Sequence, residues 1–189
     1  MSINVVPTGL MGRSLLGVSK LVAASEAFRK ECGNKTATAT LNDHCHFPDM
    51  PFDDFGNQVV SQTAKLTAPL AVVSADNGDS QAALIEKPFS RLAAGETMVQ
   101  LALPERSAND VGDALTDARD KFLDVANRFD AIMRDIIQLG ATRDSEYWWV
   151  NNWRLDAHAL NDESKFPFVD SGGQSVRVRI FRTVLSWHG

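Results

Sequence analysis

Apolar residues fall at Val111, Leu115, Ala118, Phe122, Val125, Phe129, Ile132, Ile136 and Leu139, stepping four, three, four, three without a break. That is the spacing of one face of an α-helix, and it predicts a helix over residues 109–139. At roughly 1.5 Å per residue the helix would be a rod of about 45 Å. That is long for a compact domain of 189 residues. Ser107, three before Asp110, resembles a capping-box start with Asp in place of Glu. Asp110, Asp113 and Asp117 suit the positive end of the macrodipole, and Gly140 is a natural stop. On the outer face Asp117–Lys121, Asp124–Arg128 and Asp130–Arg134 are acid-before-base pairs four apart. Leu123, Ala126, Met133 and Ile137 widen the apolar stripe. A helix packed on a sheet needs that width; the alternative, a two-stranded coiled coil, needs a narrower seam.

The rest of the chain then has to supply the sheet. With 44% apolar and 23% charged residues, a single domain over 1–189 with a real core is the expectation. No apolar run reaches the length of a membrane span. Residues 1–12 lack a positive n-region and a continuous apolar segment, so no signal peptide is expected. Two cysteines, Cys32 and Cys45, are too few for a disulfide framework and fit a reducing, cytoplasmic setting. The net charge is −5, and the long helix carries seven Asp against three Arg and one Lys, a poor surface for nucleic acid.

Taken in order, residues 1–9 form an N-terminal arm, with Pro7 and Gly9 delaying any helix. A first helix is predicted over 10–32, with Met11, Leu15, Val18 and Val22 on one face and Gly33 as its stop. Residues 34–65 show no sustained period and read as an irregular excursion containing a short hairpin, or as an arm whose Phe47, Phe52 and Phe55 bury in a neighbouring subunit. Residues 66–74 read as a strand, with Pro69 marking an edge or bulge. Asp76-Asn77-Gly78-Asp79 is a turn, 82–87 a short strand, 88–95 a connection, and 96–103 an alternating strand. After the long helix, strands are predicted over 146–159 and 175–187, joined by a polar loop into an antiparallel hairpin. In the second, apolar character passes from Val176, Val178 and Ile180 to Phe181, Leu185 and Trp187, which predicts a bulge near Ile180. The class is therefore α+β: a mainly antiparallel sheet packed by an N-terminal helix and one long central helix.

No Gly-X-Ser-X-Gly elbow, Gly-X-Gly-X-X-Gly turn or Walker-type phosphate loop is present. The most metal-like group is Asp43-His44-Cys45-His46, since His-X-His can set two imidazoles on one side of a strand. A site there would need further ligands from afar, and a solvated or interface loop is the competing reading. Cys45 beside two histidines would be a thiol site only if sequence neighbours formed the dyad, which they rarely do. Trp148, Trp149 and Trp153 could stack bases or sugars, but on a strand beside a long helix they read first as core or interface anchors. Arg177 and Arg179 share a face and suit a guarded edge, a salt-bridged subunit contact or, less well, a phosphate. No catalytic residue and no cofactor is expected.

The element order resembles that of small tailed-bacteriophage neck and tail-completion proteins, the tail-terminator-like group. The resemblance is carried by Leu-Val-Ala-Ala-Ser-Glu-Ala-Phe at 21–28 with Cys-Gly at 32–33, by the helix from Phe122 to Ile132, by the aromatic strand after it, and by Arg-Ile-Phe-Arg-Thr-Val-Leu-Ser-Trp at 179–187. Residues 34–65 depart from the compact members. The resemblance implies a small sheet with helices packed on it, assembled as a homo-oligomeric ring, commonly a hexamer, at the head–tail junction or tail end. It implies a structural virion protein rather than an enzyme, assembled in the host cytoplasm, with other neck, tail-tube or connector proteins as partners and no membrane or direct nucleic-acid recognition.

Overall fold

A computed structural model describes residues 10–47, 66–75, 85–87, 90–92, 94–106, 117–140, 149–155 and 168–188. The fold is α+β, with helices against a mainly antiparallel sheet. The five-stranded sheet has the order β1-β3-β6-β9-β7. Its strands are β1 (Cys45–His46), β3 (Leu70–Ala75), β6 (Ala94–Pro104), β9 (Val178–His188) and β7 (Trp149–Leu155). Only the β1–β3 pairing is parallel. β6 and β9 form the spine, in unbroken register from Ala94↔His188 to Pro104↔Val178.

The predicted first helix is two helices. α1 (Leu10–Ala24) buries Val18, Leu21 and Val22, and α2 (Glu26–Glu31) buries Phe28. Ser25 makes the break: its N–H closes α1 on the Leu21 and Val22 carbonyls, and its Oγ accepts from the Phe28 N–H at 3.2 Å. A serine hydroxyl that caps a new helix competes with continuing the old one. Gly33 ends α2 as expected. It has φ +76°, and the Asn34 and Gly33 N–H groups bond back to the Arg29 and Lys30 carbonyls in a Schellman closure.

The excursion is also more ordered than its composition implies. Thr36 caps α3 (Ala37–His44), accepting from the Ala39 N–H at 3.3 Å, and β1 follows directly. The helix is hard to read because the residues it buries, Thr40 and His44, are polar. Residues 48–65, with Phe52 and Phe55, lie outside the described residues, as do 1–9.

The long helix, α4 (Ala118–Gly140), buries Val125, Phe129, Ile132, Met133 and Ile136. Asp117 sits in a bend and caps it, its carbonyl accepting from the Lys121 N–H and its Oδ1 from the Arg119 N–H at 2.9 Å. The helix therefore does not run unbroken from 109. An Asp that can satisfy the first free N–H groups starts a new helix as readily as it decorates an old one. The upstream part of the prediction, 107–116, lies outside the described residues. α1, α2 and α4 cover one sheet face, meeting Ala71, Val73, Val99, Leu101, Leu103, Phe181 and Leu185. Phe129 stacks on Phe181 with centroids 4.7 Å apart.

On the other face a second cluster joins Leu70, Val72, Ala102 and Val178 to Ala68 and Phe168. There β2 (Leu66–Thr67) runs parallel to β8 (Phe168–Val169). The predicted strand over 66–74 is thus split at the Ala68–Pro69 peptide bond, which is cis. The two cores also correct the expected bulge near Ile180. β9 keeps its register; Val178 and Ile180 serve the second core while Phe181 and Leu185 serve the first. A strand covered on both faces changes apolar parity without any shift of pleat. The register shift lies instead in β7, between Val150 and Asn152. Backbone pairing also makes Ile85–Lys87 (β4) and Ser90–Leu92 (β5) a short hairpin, where a strand and a plain connection were expected.

Candidate functional site

The predicted metal-like group sits at the β1 edge of the sheet. His44 is the last residue of α3 and is 4% exposed. Its Nδ1 lies 2.7 Å from the Pro69 carbonyl oxygen, and its Nε2 lies 3.0 Å from Lys35 Nζ. A carbonyl only accepts and an ammonium only donates. His44 is therefore the neutral tautomer that donates from Nδ1 and accepts at Nε2. Lys35 also reaches Asp43 Oδ2 at 2.8 Å, which holds the Asp43 carboxyl below its usual range. Burial pushes the His44 imidazole below its ordinary value, with the Lys35 charge acting the same way. Burial lowers the half-buried His46 as well.

Both ring nitrogens of His44 are thus engaged, one of them by a cation. An incoming metal would have to expel Lys35 before it could take Nε2. Among the described residues no group of three or more His, Cys, Asp or Glu side chains is placed to hold a metal ion. Cys45 is half-buried and Cys32 is buried, both as free thiols. Burial pushes the Cys32 thiol up to about 12 and raises Cys45 as well. Both are the reverse of an activated nucleophile.

The basic pair at the start of β9 shares one carboxylate within the chain. Arg179 Nε donates to Glu105 Oε1 at 2.7 Å, and Arg177 Nε lies 3.8 Å from the same oxygen. The Glu105 side chain is buried and the Arg177 side chain exposed. Sequence reasoning saw the arginines and missed Glu105, which is 74 residues from Arg179 and has no periodic signal.

Of the charge cluster around Arg128 it saw only the Asp124–Arg128 spacing, and it put that pair on the outer face, whereas the Arg128 side chain is 9% exposed. Arg128 donates to Glu31 Oε2 at 2.7 Å and to the Pro104 carbonyl at 2.6 Å, and its Nε lies 3.0 Å from Asp124 Oδ2 without hydrogen-bonding alignment. Arg106 flanks the same two acids at 3.5 and 3.6 Å. The cluster ties α2, α4 and the end of β6 together. Asp135 adds a second tie between α4 and α2, accepting from Ser25 Oγ at 3.1 Å and from the Ala27 N–H at 2.9 Å.

The aromatic interface candidates divide between two edges. Phe47 is half-buried just after β1, the strand at one edge. Trp149 and Trp153 are backbone positions on β7, the strand at the other edge, which among the described residues pairs with β9 alone. Trp149 stands opposite His188 and Trp153 opposite Leu185, four positions apart on β7 but three on β9. Trp148, with Phe52 and Phe55, lies outside the described residues. Among those described, no helix is long and apolar enough to cross a membrane. No protein-family model matches this sequence, and no curated protein matches it.

Proposed function

We propose that the chain is a structural subunit of a tailed-bacteriophage particle, a tail-terminator or neck protein that closes into a homo-oligomeric ring, commonly a hexamer, at the head–tail junction or tail end. One observation carries the reading beyond the resemblance. The aromatic segments singled out for subunit contact stand at opposite edges of one sheet, Phe47 beside β1 and the tryptophan positions on β7. A ring needs two different surfaces on opposite sides of each subunit, because its interfaces are heterologous. The chemistry-bearing side chains are meanwhile occupied with one another. His44, Arg177 and Arg179 hold partners inside the fold, which suits a scaffold role rather than catalysis. Neighbouring neck, tail-tube or connector proteins would be the partners, with assembly in the host cytoplasm.

Light scattering across a concentration series tests the reading. The expected species has a mass near six times the 20.7 kDa of the chain. Substituting Trp153→Arg is expected to dissociate it. A monomer at every concentration, together with absence of the chain from purified particles, would sink the proposal.

A further inference from the structure

We propose that His44 is an acid-operated latch on the β1 edge: protonating its Nε2 releases α3 and β1 from β3. Geometry carries the inference, and it does not depend on the ring reading. His44 joins α3 to β1, and β1 is held to the sheet by two residue pairs, Cys45↔Ala71 and His46↔Val72. The imidazole pins that short strand from the side by donating to the Pro69 carbonyl, just ahead of β3. Its second nitrogen faces Lys35 Nζ at 3.0 Å. A proton added at Nε2 puts two donors and two positive charges face to face with no acceptor between them. Lys35 can retreat to Asp43, which already holds it. The imidazolium, 4% exposed, cannot be hydrated where it is. It must leave the Pro69 carbonyl to reach water, and the adjoining end of α3 and the two residues of β1 go with it.

The charged surroundings favour this outcome. The charged groups acting on His44 are Lys35, Asp43 and His46, and the Pro69 carbonyl, as hydrogen-bond acceptor, favours the imidazolium against the larger opposing effect of burial. Asp43 alone favours the imidazolium as a charge, and it is exposed and paired with Lys35. α1 packs against α3 and adds the half-buried cation Lys20, and β3 brings no charged side chain.

Hydrogen exchange read peptide by peptide at pH 7, 6 and 5, corrected for intrinsic rates, tests the latch. Peptides covering 37–47 are expected to lose protection severalfold on acidification while those covering 97–103 of β6 keep theirs. Lys35→Met removes the opposing charge and is expected to weaken the loss and move it to lower pH. His44→Asn keeps an N–H for Pro69, takes no proton, and is expected to lose most of the pH dependence, keeping only the His46 part. His46→Gln is expected to leave the opening in place. The proposal is overturned if His44 titrates by NMR while 37–47 stays protected, if Lys35→Met opens at the same pH as the parent, or if His46→Gln abolishes the opening. Should His44→Asn not fold, the parent and Lys35→Met still decide.

Discussion

Two buried side chains anchor the helical layer to the sheet in the same way, and they differ in one property. Arg128 of α4 donates to the carbonyl of Pro104 at the end of β6, and His44 of α3 donates to the carbonyl of Pro69 just before β3. A proline stands at a strand end in each case, and its carbonyl accepts from a side chain of the helical layer. Around Arg128 two carboxylates and a second arginine balance the charge. Around His44 the nearest charge is a cation. Arginine keeps its proton at any pH a fold survives, and histidine does not. One anchor is permanent and the other conditional, and they stand toward different parts of one sheet.

The largest test breaks the permanent anchor. Arg128→Met fills similar space but leaves Glu31 and Asp124, whose side chains are 12% and 18% exposed, without their main counter-charge. Removing one member of a buried ionic cluster costs about 3–5 kcal/mol. Equilibrium urea unfolding should show that loss. A change under about 1 kcal/mol would mean that Arg106 or water replaces the guanidinium, and the anchor would not be one. The corresponding change at the other site, His44→Phe, keeps the bulk and leaves the Pro69 carbonyl unpaired. The expected cost is smaller, about 1–3 kcal/mol, that of one unsatisfied buried acceptor. Equal losses at the two sites would erase the distinction between a network and a single bond.

A smaller effect separates the anchors by pH. The folded His44 imidazole is held below its ordinary 6.5 by burial, and His46 likewise. Below about 6.5 the unfolded chain binds protons that the folded chain refuses. Stability is therefore fully present above that value and falls as pH drops from it toward the folded-state value. Asp43, held below its ordinary 3.8 by Lys35, contributes in the same direction at lower pH, through and below the usual carboxylate range. The parent should lose stability between pH 7 and 5. His44→Phe should lose distinctly less, keeping only the His46 part, while Arg128→Met should keep the parent's slope. A parallel loss in all three proteins would place the titration elsewhere.

Much of this layout is legible in the residues. The 3.6-residue stripe over 118–139 and the alternation in β6 and β9 follow from one-sided burial, the feature that apolar spacing reports. What stays hidden has two causes. Polar residues that bury, such as Thr40 and His44 of α3 or Ser25 between α1 and α2, look like loop residues until their partners are in place. Distant partners leave no local trace: Pro69 for His44, Glu105 for Arg179, Asp135 for Ser25. The parity change at Ile180 misleads for a third reason, since a strand buried on both faces mimics one that slips.

The smallest test concerns two pairs that are indistinguishable as text. Asp124–Arg128 and Asp130–Arg134 are both acid-before-base at four residues on the same helix, and both form, at 3.0 and 2.5 Å. Asp124 and Arg128 have side chains 18% and 9% exposed, while Asp130 and Arg134 are 47% and 73% exposed. Spacing decides whether such a pair can meet; burial decides what the meeting is worth. In water the exposed pair trades hydration for contact at nearly even terms, so Asp130→Asn should cost only about 0.3–0.5 kcal/mol and vanish in high salt. Asp124→Asn deprives a buried guanidinium of a counter-charge and should cost several times more, with little salt dependence. Urea unfolding of the two variants at low and high salt measures both. An Asp130→Asn loss matching that of Asp124→Asn would overturn the argument that burial sets the worth of the pair.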